Sequence, residues 1–319
     1  MAEPAKVAYV FPGQGAQWVG MGRDLYDGFP AAKAVFEQAD EALGFSLSRL
    51  CFKGPEEELR QTVNAQPAIV TVSFACLRAV DGVADNAGLT PAAFIAGHSL
   101  GEYSALAAAG VLEFADAVYL SRERGRLMHE AGLKQPGGMV AIIGLDEPIL
   151  AEVCGQTGTQ IANINCNGQI VISGIEENLT QAVDLARSRG AQRTIRLQVS
   201  GAFHTTAMQP AVDGMSEIMA TLDFRQPAVP IIGNTTAEPL TTGKQVKAEL
   251  LQQLCNCVQW QRSIEYMVAN GVSTFIEMGP GKVITGLIKR INKDVRTLNI
   301  GDNQAIKNLE INPSFLPSR

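Results

Sequence analysis

The stretch AAFIAGHSLGEYSALAAAG, residues 92–110, constrains the fold more than any other part of the chain. Its first six residues form a short apolar run that reads as a buried strand. The run stops at GHSLG and restarts at once as LGEYSALAAA, a helical stretch that Gly110 closes. A strand that passes directly into a helix belongs to a parallel sheet, where each strand leaves through a covering helix. The pentapeptide Gly97-His98-Ser99-Leu100-Gly101 has the GxSxG spacing of a nucleophile elbow. There a serine sits on a turn so sharp that the residues two positions either side must be small. The following helix directs its first N–H groups and its positive dipole end toward the serine oxygen. An ordinary tight turn satisfies the same five letters, so the reading of Ser99 depends on an activating base and a place for a substrate.

The flanking chain has the same texture. VAYVF reads as a strand broken by PGQGAQ, AAKAVFEQADEAL has helical spacing, and QPAIVTVSFACLRAV is an apolar helix too long for a strand. EFADAVYLSRERGRLMHEA is a further helix, expected to end near Gly132. This alternation predicts a parallel sheet covered on both faces. Over residues 135–199 the order becomes strand, helix, two strands around a turn, helix, strand (GGMVAIIGL, DEPILAEVCGQT, QIANINCNGQIVISG, ENLTQAVDLARSRG, QRTIRLQV). That is the ferredoxin-like pattern, read as a self-contained insert. PAVPIIGNTT and STFIEMGPG then return to the first texture, and the final NQAIKNLEINPSFLPSR, without periodicity, reads as a loose tail.

Composition narrows the function classes. With 46% hydrophobic residues in 319, the chain can bury a large core. A net charge of −6 and the lack of a long basic run argue against nucleic acid. No run approaches 18 apolar residues, so no membrane span is expected, and MAEPAKVAYVF lacks the layout of a secretory signal. The six cysteines form no CxxC pair and read as reduced structural thiols, and three histidines argue against a zinc site. A cytoplasmic location is expected.

Three histidines compete to be the base for Ser99. His98 is its neighbour, and adjacent side chains at a strand end point apart. His129 falls near the end of a helix, where a solvated imidazole is favourable. His204, in VSGAFHTT, follows the last strand of the insert and so faces the junction of the two units; elimination favours it. At about 100° per residue along 114–128, Leu120, Ala117, Ser121, Leu127 and Met128 share an inward arc that also contains Arg124. Arg122 and Arg126 lie off that arc. A buried guanidinium needs a partner, either an internal carboxylate or one that arrives with the substrate. The FPGQGAQ loop, residues 11–17, matches neither the GxGxxG fingerprint nor a phosphate loop. Its glycines leave Gln14 as a backbone N–H donor to an oxyanion or as part of a simple turn.

Taken together, FPGQGAQ, GHSLGEYSAL, RERGRLM, ANINCNGQIVISG, GAFHT, QWQRSIEYM and EMGPGKVITGL stand in the order found in malonyl-CoA:acyl carrier protein transacylases. The chain resembles that family, and the related acyltransferase domains of polyketide and fatty acid synthases, from about residue 7 to about 298. The resemblance implies an α/β fold: a parallel-sheet, α/β-hydrolase-like large subdomain (1–134 and 200–319) and an inserted ferredoxin-like small subdomain (135–199). It implies that Ser99 is the acylated nucleophile and His204 its base, with the N–H groups of Gln14 and Leu100 as the oxyanion hole. Arg124 would hold the malonyl carboxylate, and the backbone carbonyl of Gln253 would orient His204. Phe203 fits malonyl-selective relatives, and Cys257 stands where relatives often have proline. Malonyl-CoA and the phosphopantetheine of a transiently docked acyl carrier protein are the implied substrates, with no bound cofactor or metal. KRINK, residues 289–293, together with Lys282, reads as a local basic patch for an acidic carrier or as a solvated helix face.

Other readings remain at this level. A serine hydrolase or thioesterase acting on acyl-CoA would use the same serine, although no acid is evident between Ser99 and His204 where that fold places one. An acyltransferase for another acyl-CoA is a second alternative. A silent carrier-docking module is a third, for which both reactive residues would be dispensable.

Overall fold

The computed structural model describes residues 6–83 and 90–311. Two sheets organise it. The larger has the order β10-β9-β1-β2-β7-β8, built from β1 (Lys6–Phe11), β2 (Ala92–Gly97), β7 (Ile231–Ile232), β8 (Pro239–Leu240), β9 (Val272–Met278) and β10 (Arg296–Ile300). All neighbours pair in parallel except β7 with β8. Strand β1 shows why its sequence is apolar throughout. Val7, Tyr9 and Phe11 enter the core on one face, while Ala8 and Val10 enter a second cluster on the other. Helix Thr62–Val83 covers the first face with Phe114–Lys134 packed against it, and Trp260–Ala269 and Val283–Ile291 cover the second.

The smaller sheet is antiparallel, with the order β4-β5-β3-β6, from β3 (Gly137–Ile143), β4 (Gln160–Cys166), β5 (Gln169–Ile175) and β6 (Arg193–Arg196). Helices Glu147–Thr157 and Glu176–Ser188 complete the ferredoxin-like order expected from the sequence. They pack on one face through Val140, Ile142, Leu150, Val153, Ile172 and Leu179. The alternate residues Met139, Ala141 and Val171 point the other way and join the main core, so this sheet roofs the cavity described below.

Three details differ from the sequence reading. The segment expected to be a loose tail forms a helix, Asn303–Ile311, while residues 312–319 lie outside the described part. Asp24 accepts from the Asn303 N–H at 2.6 Å, Asp302 accepts from the Ala305 N–H at 2.7 Å, and Ile306 is buried in the main core. Those tertiary anchors, with two apolar turns too short to display a period, explain the miss. The helix expected to end near Gly132 runs on to Lys134. Gly132 serves close approach: a Cβ there would lie 2.5 Å from the Ser200 carbonyl oxygen. Finally, Thr62–Gly82 is long and apolar enough to cross a membrane, but 83% of its apolar 18-residue stretch is buried inside the protein, as befits a core helix.

Candidate active site

The turn after β2 has the geometry its glycines predict. Ser99 adopts φ +50°, in the left-handed region that side chains avoid. A Cβ on Gly97 would sit 1.9 Å from the Gly101 carbonyl carbon, and one on Gly101 would sit 2.3 Å from the Phe11 carbonyl oxygen. Both contacts are backbone to backbone, so neither can be relieved by a rotamer change. Asn234 staples the turn from below. Its Oδ1 accepts from the Ser99 N–H at 2.6 Å, and its Nδ2 donates to the Gly97 carbonyl at 2.7 Å.

Ser99 and His204 are 105 positions apart in sequence, yet Oγ and Nε2 lie 2.8 Å apart. The other ring nitrogen, Nδ1, lies 2.8 Å from the backbone oxygen of Gln253. A carbonyl can only accept, so Nδ1 carries the proton and Nε2 presents its lone pair to the serine hydroxyl. His204 also has a left-handed backbone, φ +60°, and its side chain is buried. Burial, reinforced by the nearby Arg124 charge, pushes its pKa down to about 3. The imidazole is therefore neutral, and able to take a proton, across the physiological range.

Arg124 lies on the inward arc of its helix and is 1% exposed. Its two terminal nitrogens donate at 2.8 Å to Gln66 Oε1 and Gln253 Oε1, and one also reaches Ser99 Oγ at 3.2 Å. The guanidinium sits 5.5 Å from the Tyr103 ring centroid. Its Nε is buried without a hydrogen-bond partner, and no ion pair of Arg124 occurs among the described residues. Glu102 is the acid in its surroundings, but the Gln253 amide stands between them, donating to Ser99 O at 2.9 Å and to Glu102 Oε2. Burial, with Glu249 nearby, raises the Glu102 carboxyl well above the usual range and favours its neutral form. Of the two partners considered for Arg124, the internal carboxylate is thus absent from its hydrogen-bonding shell.

Gln14, Ser99, Arg124, Phe203 and His204 line one cavity of about 270 Å³ between the two sheets. The Gln14 loop packs on the elbow: His98 N–H donates to Phe11 O at 3.0 Å, and a Cβ on Gly13 would lie 2.4 Å from His98 O. Neither the Gln14 nor the Leu100 backbone N–H meets an acceptor among the described residues, so both donors remain open. Leu100 itself is buried beside the elbow, outside the cavity lining. His98 does not contact the serine hydroxyl. Its Nε2 lies 2.8 Å from Asn165 Oδ1 on β4, tying the elbow to the small sheet. His129 is not part of the lining, although its neighbour Met128 is. The six cysteines are free thiols outside it, and no group of His, Cys, Asp and Glu among the described residues is arranged for a metal ion.

The sequence reading passed over Gln66, Glu102, Asn165 and Asn234. Two of these carried a signal: Gln66 opens the largely apolar stretch QPAIVTVSFACLRAV, and Glu102 is the one charged residue in LGEYSALAAA. Asn165 and Asn234 carried none that local spacing could reveal.

Comparison with known proteins shows the family. The family model described as acyl transferase domain matches residues 8–314. The malonyl CoA-acyl carrier protein transacylase of Bacillus subtilis is 46% identical over 308 residues, covering 95% of this chain and 96% of that protein. The Escherichia coli enzyme of the same name is 44% identical over 288 residues, covering 89% and 92%. Among solved structures, the acyl-carrier-protein S-malonyltransferase of Bartonella henselae superposes with a TM-score of 0.91 at 42% identity, covering 96% of this chain and 99% of that one. A malonyl-transacylase in complex with a type II PKS acyl-carrier protein superposes with a TM-score of 0.91 at 36% identity, covering 97% and 100%. This protein belongs to the acyl transferase domain family, among its malonyl CoA-acyl carrier protein transacylases.

Proposed function

We propose that the protein transfers a malonyl group from malonyl-CoA to the phosphopantetheine thiol of an acyl carrier protein, in fatty acid or polyketide synthesis in the cytoplasm. The observation that carries this reading is Arg124, a buried cation with no internal carboxylate in hydrogen-bonding contact among the described residues, 3.2 Å from the hydroxyl that would be acylated. A carboxylate on the acyl group would supply the missing counter-charge. Acetyl would leave the cation unpaired, and sites built around a polar group reject analogues that lack it.

The steps follow from the proton inventory. His204 Nε2 accepts the Ser99 proton as Oγ attacks the thioester carbonyl, while the Gln253 carbonyl stabilises the imidazolium through Nδ1–H. The developing oxyanion takes the open N–H groups of Gln14 and Leu100, each such donor being worth about 3 kcal/mol of barrier. The C–S bond breaks, His204 returns its proton to the departing sulfur so that CoA leaves as the thiol, and malonyl remains on Ser99. The carrier thiol then gives its proton to His204 and attacks the ester, and Ser99 recovers a proton as the new thioester departs. CoA and phosphopantetheine enter as substrates, and the reaction as written calls for no bound cofactor or metal. Phe203 and the apolar residues Met128, Val199 and Leu197 line the cavity beside the acyl position.

The test is radiolabelled malonyl-CoA. Label is expected on the wild-type chain, absent from Ser99→Ala, and passed on to added holo-carrier protein. Label released only to water would replace this reading with a hydrolase, and an unlabelled wild type would leave a silent docking module.

A further inference from the structure

Two glutamine carbonyls cage the Arg124 guanidinium, and the orientation of one is fixed by wiring that leads away from it. Gln66 is fully buried. Its Nε2 donates to Thr62 Oγ1 at 2.9 Å and lies 3.5 Å from the Met128 sulfur. The Thr62 hydroxyl in turn donates to Gln14 Oε1 at 2.7 Å, so it can only accept from Gln66. With its N–H groups committed on that side, Gln66 must present Oε1 to Arg124, at 2.8 Å. A glutamate of the same length and rotamer would place a carboxylate oxygen at that distance from the guanidinium. In so dry a site the pair would hold both charges and cancel the field that an incoming carboxylate needs.

We infer that Gln66 is a specificity-determining positioning residue whose neutrality, rather than its hydrogen bond, reserves the Arg124 charge for the carboxylate of the acyl group. The inference rests on the proposed reading of Arg124. The second connection, through Thr62 to the Gln14 loop, steadies an oxyanion donor that any acyl group would use. Loosening it should therefore slow all substrates alike and leave discrimination untouched.

The experiment measures kcat and KM for malonyl-CoA and acetyl-CoA, with holo-carrier protein as acceptor, in the wild type and three full-length variants. Gln66→Glu is expected to lower the malonyl-to-acetyl ratio of kcat/KM by about 100-fold or more, chiefly through KM for malonyl-CoA. Gln66→Met fills similar space without charge. It is expected to lower kcat for both acyl groups while holding the ratio within roughly threefold of wild type. A folded Gln66→Glu protein that keeps the wild-type ratio overturns the inference. So does a Gln66→Met protein whose ratio collapses, since the lost hydrogen bond would then be what matters. Circular dichroism identifies a Gln66→Glu protein that does not fold, and Gln66→Met then decides alone by the same criterion. Arg124→Gln separates the two claims. A wild-type ratio in that variant refutes the reading of Arg124 itself, whereas a collapsed ratio there beside an unchanged Gln66→Glu refutes only the role of Gln66.

Discussion

Asn234→Ala tests whether the strained elbow is held by one side chain reaching it from another part of the chain. Asn234 is fully buried and bonds to both sides of Ser99, at the Ser99 N–H and the Gly97 carbonyl. Alanine leaves both backbone groups buried and unpaired, at about 1–3 kcal/mol each, or about 2–6 kcal/mol together. A left-handed non-glycine residue such as Ser99 costs of order 1–3 kcal/mol, so the lost bonds are comparable to or larger than the strain they oppose. At about 2.1 cal/mol/K per residue, 319 residues give an unfolding entropy of about 0.7 kcal/mol/K, and Tm should fall by about 3–9 °C. The released turn can relax Ser99 away from His204, and a displacement near 1 Å costs about 100-fold in rate. Calorimetry reads the first quantity and single-turnover malonylation, followed by intact mass, reads the second. Asn234→Asp keeps the acceptor for Ser99 but turns an oxygen toward the Gly97 carbonyl, so it should fall between wild type and alanine. A Tm within about 1 °C of wild type and a rate within about twofold would refute the staple. A lower Tm with an unchanged rate would refute its link to the nucleophile.

Gly101→Ala sets a Cβ against the Phe11 backbone and should destabilise by about 1–3 kcal/mol or more. Gly155→Ala, in the last turn of helix Glu147–Thr157 with open space around it, should stabilise by about 0.5–1 kcal/mol, and urea titration of the two variants checks the contrast. Because the free-enzyme pKa of His204 is pushed down to about 3, its base form is lost only as pH falls toward that value. kcat/KM for malonyl-CoA should therefore stay flat between about pH 8 and 5.5, and an inflection near the ordinary histidine value of about 6.5 would contradict the burial argument. Lys289 and Arg290 are exposed at the end of helix Val283–Ile291, whose buried residues Ile284 and Leu287, with the exposed Val283, line the cavity. Reversing both charges should weaken transfer to the carrier more than loading from malonyl-CoA, and equal loss in both half-reactions would dismiss that surface as the docking site.

What the sequence disclosed divides along a physical line. The elbow, the parallel texture and the insert were readable because strand and helix periods, glycine spacing and turn residues are local properties. Arg124 could be placed on an inner face by periodicity, but what it met there could not. Gln66 lies 58 residues from it and Gln253 lies 129, and nothing in either segment's spacing announces the other. The same holds for Asn234, 135 residues from the serine it supports, and for the His98–Asn165 tie between the sheets. The C-terminal helix failed for a related reason: Ile306 finds its core only after the sheet exists, and Asp24 caps it from the far end of the chain.

The residues that escaped the sequence are those that decide what Arg124 is for. A buried guanidinium costs free energy in proportion to how poorly it is compensated, and the chain surrounds this one with amide dipoles, an aromatic face and an acid whose burial favours its neutral form. Each of these solvates the cation in part, and none brings a full negative charge into hydrogen-bonding contact. An internal carboxylate in contact would satisfy the cation more completely and would also occupy the charge that an incoming acyl carboxylate requires. Ser99, His204 and Arg124 are fastened through one residue, since Gln253 bonds His204 with its backbone and Arg124, Ser99 and Glu102 with its side chain. On the proposed function selectivity and reactivity share that support, and a change that loosens Gln253 should damage both together, whereas a change of charge at Gln66 should damage selectivity first.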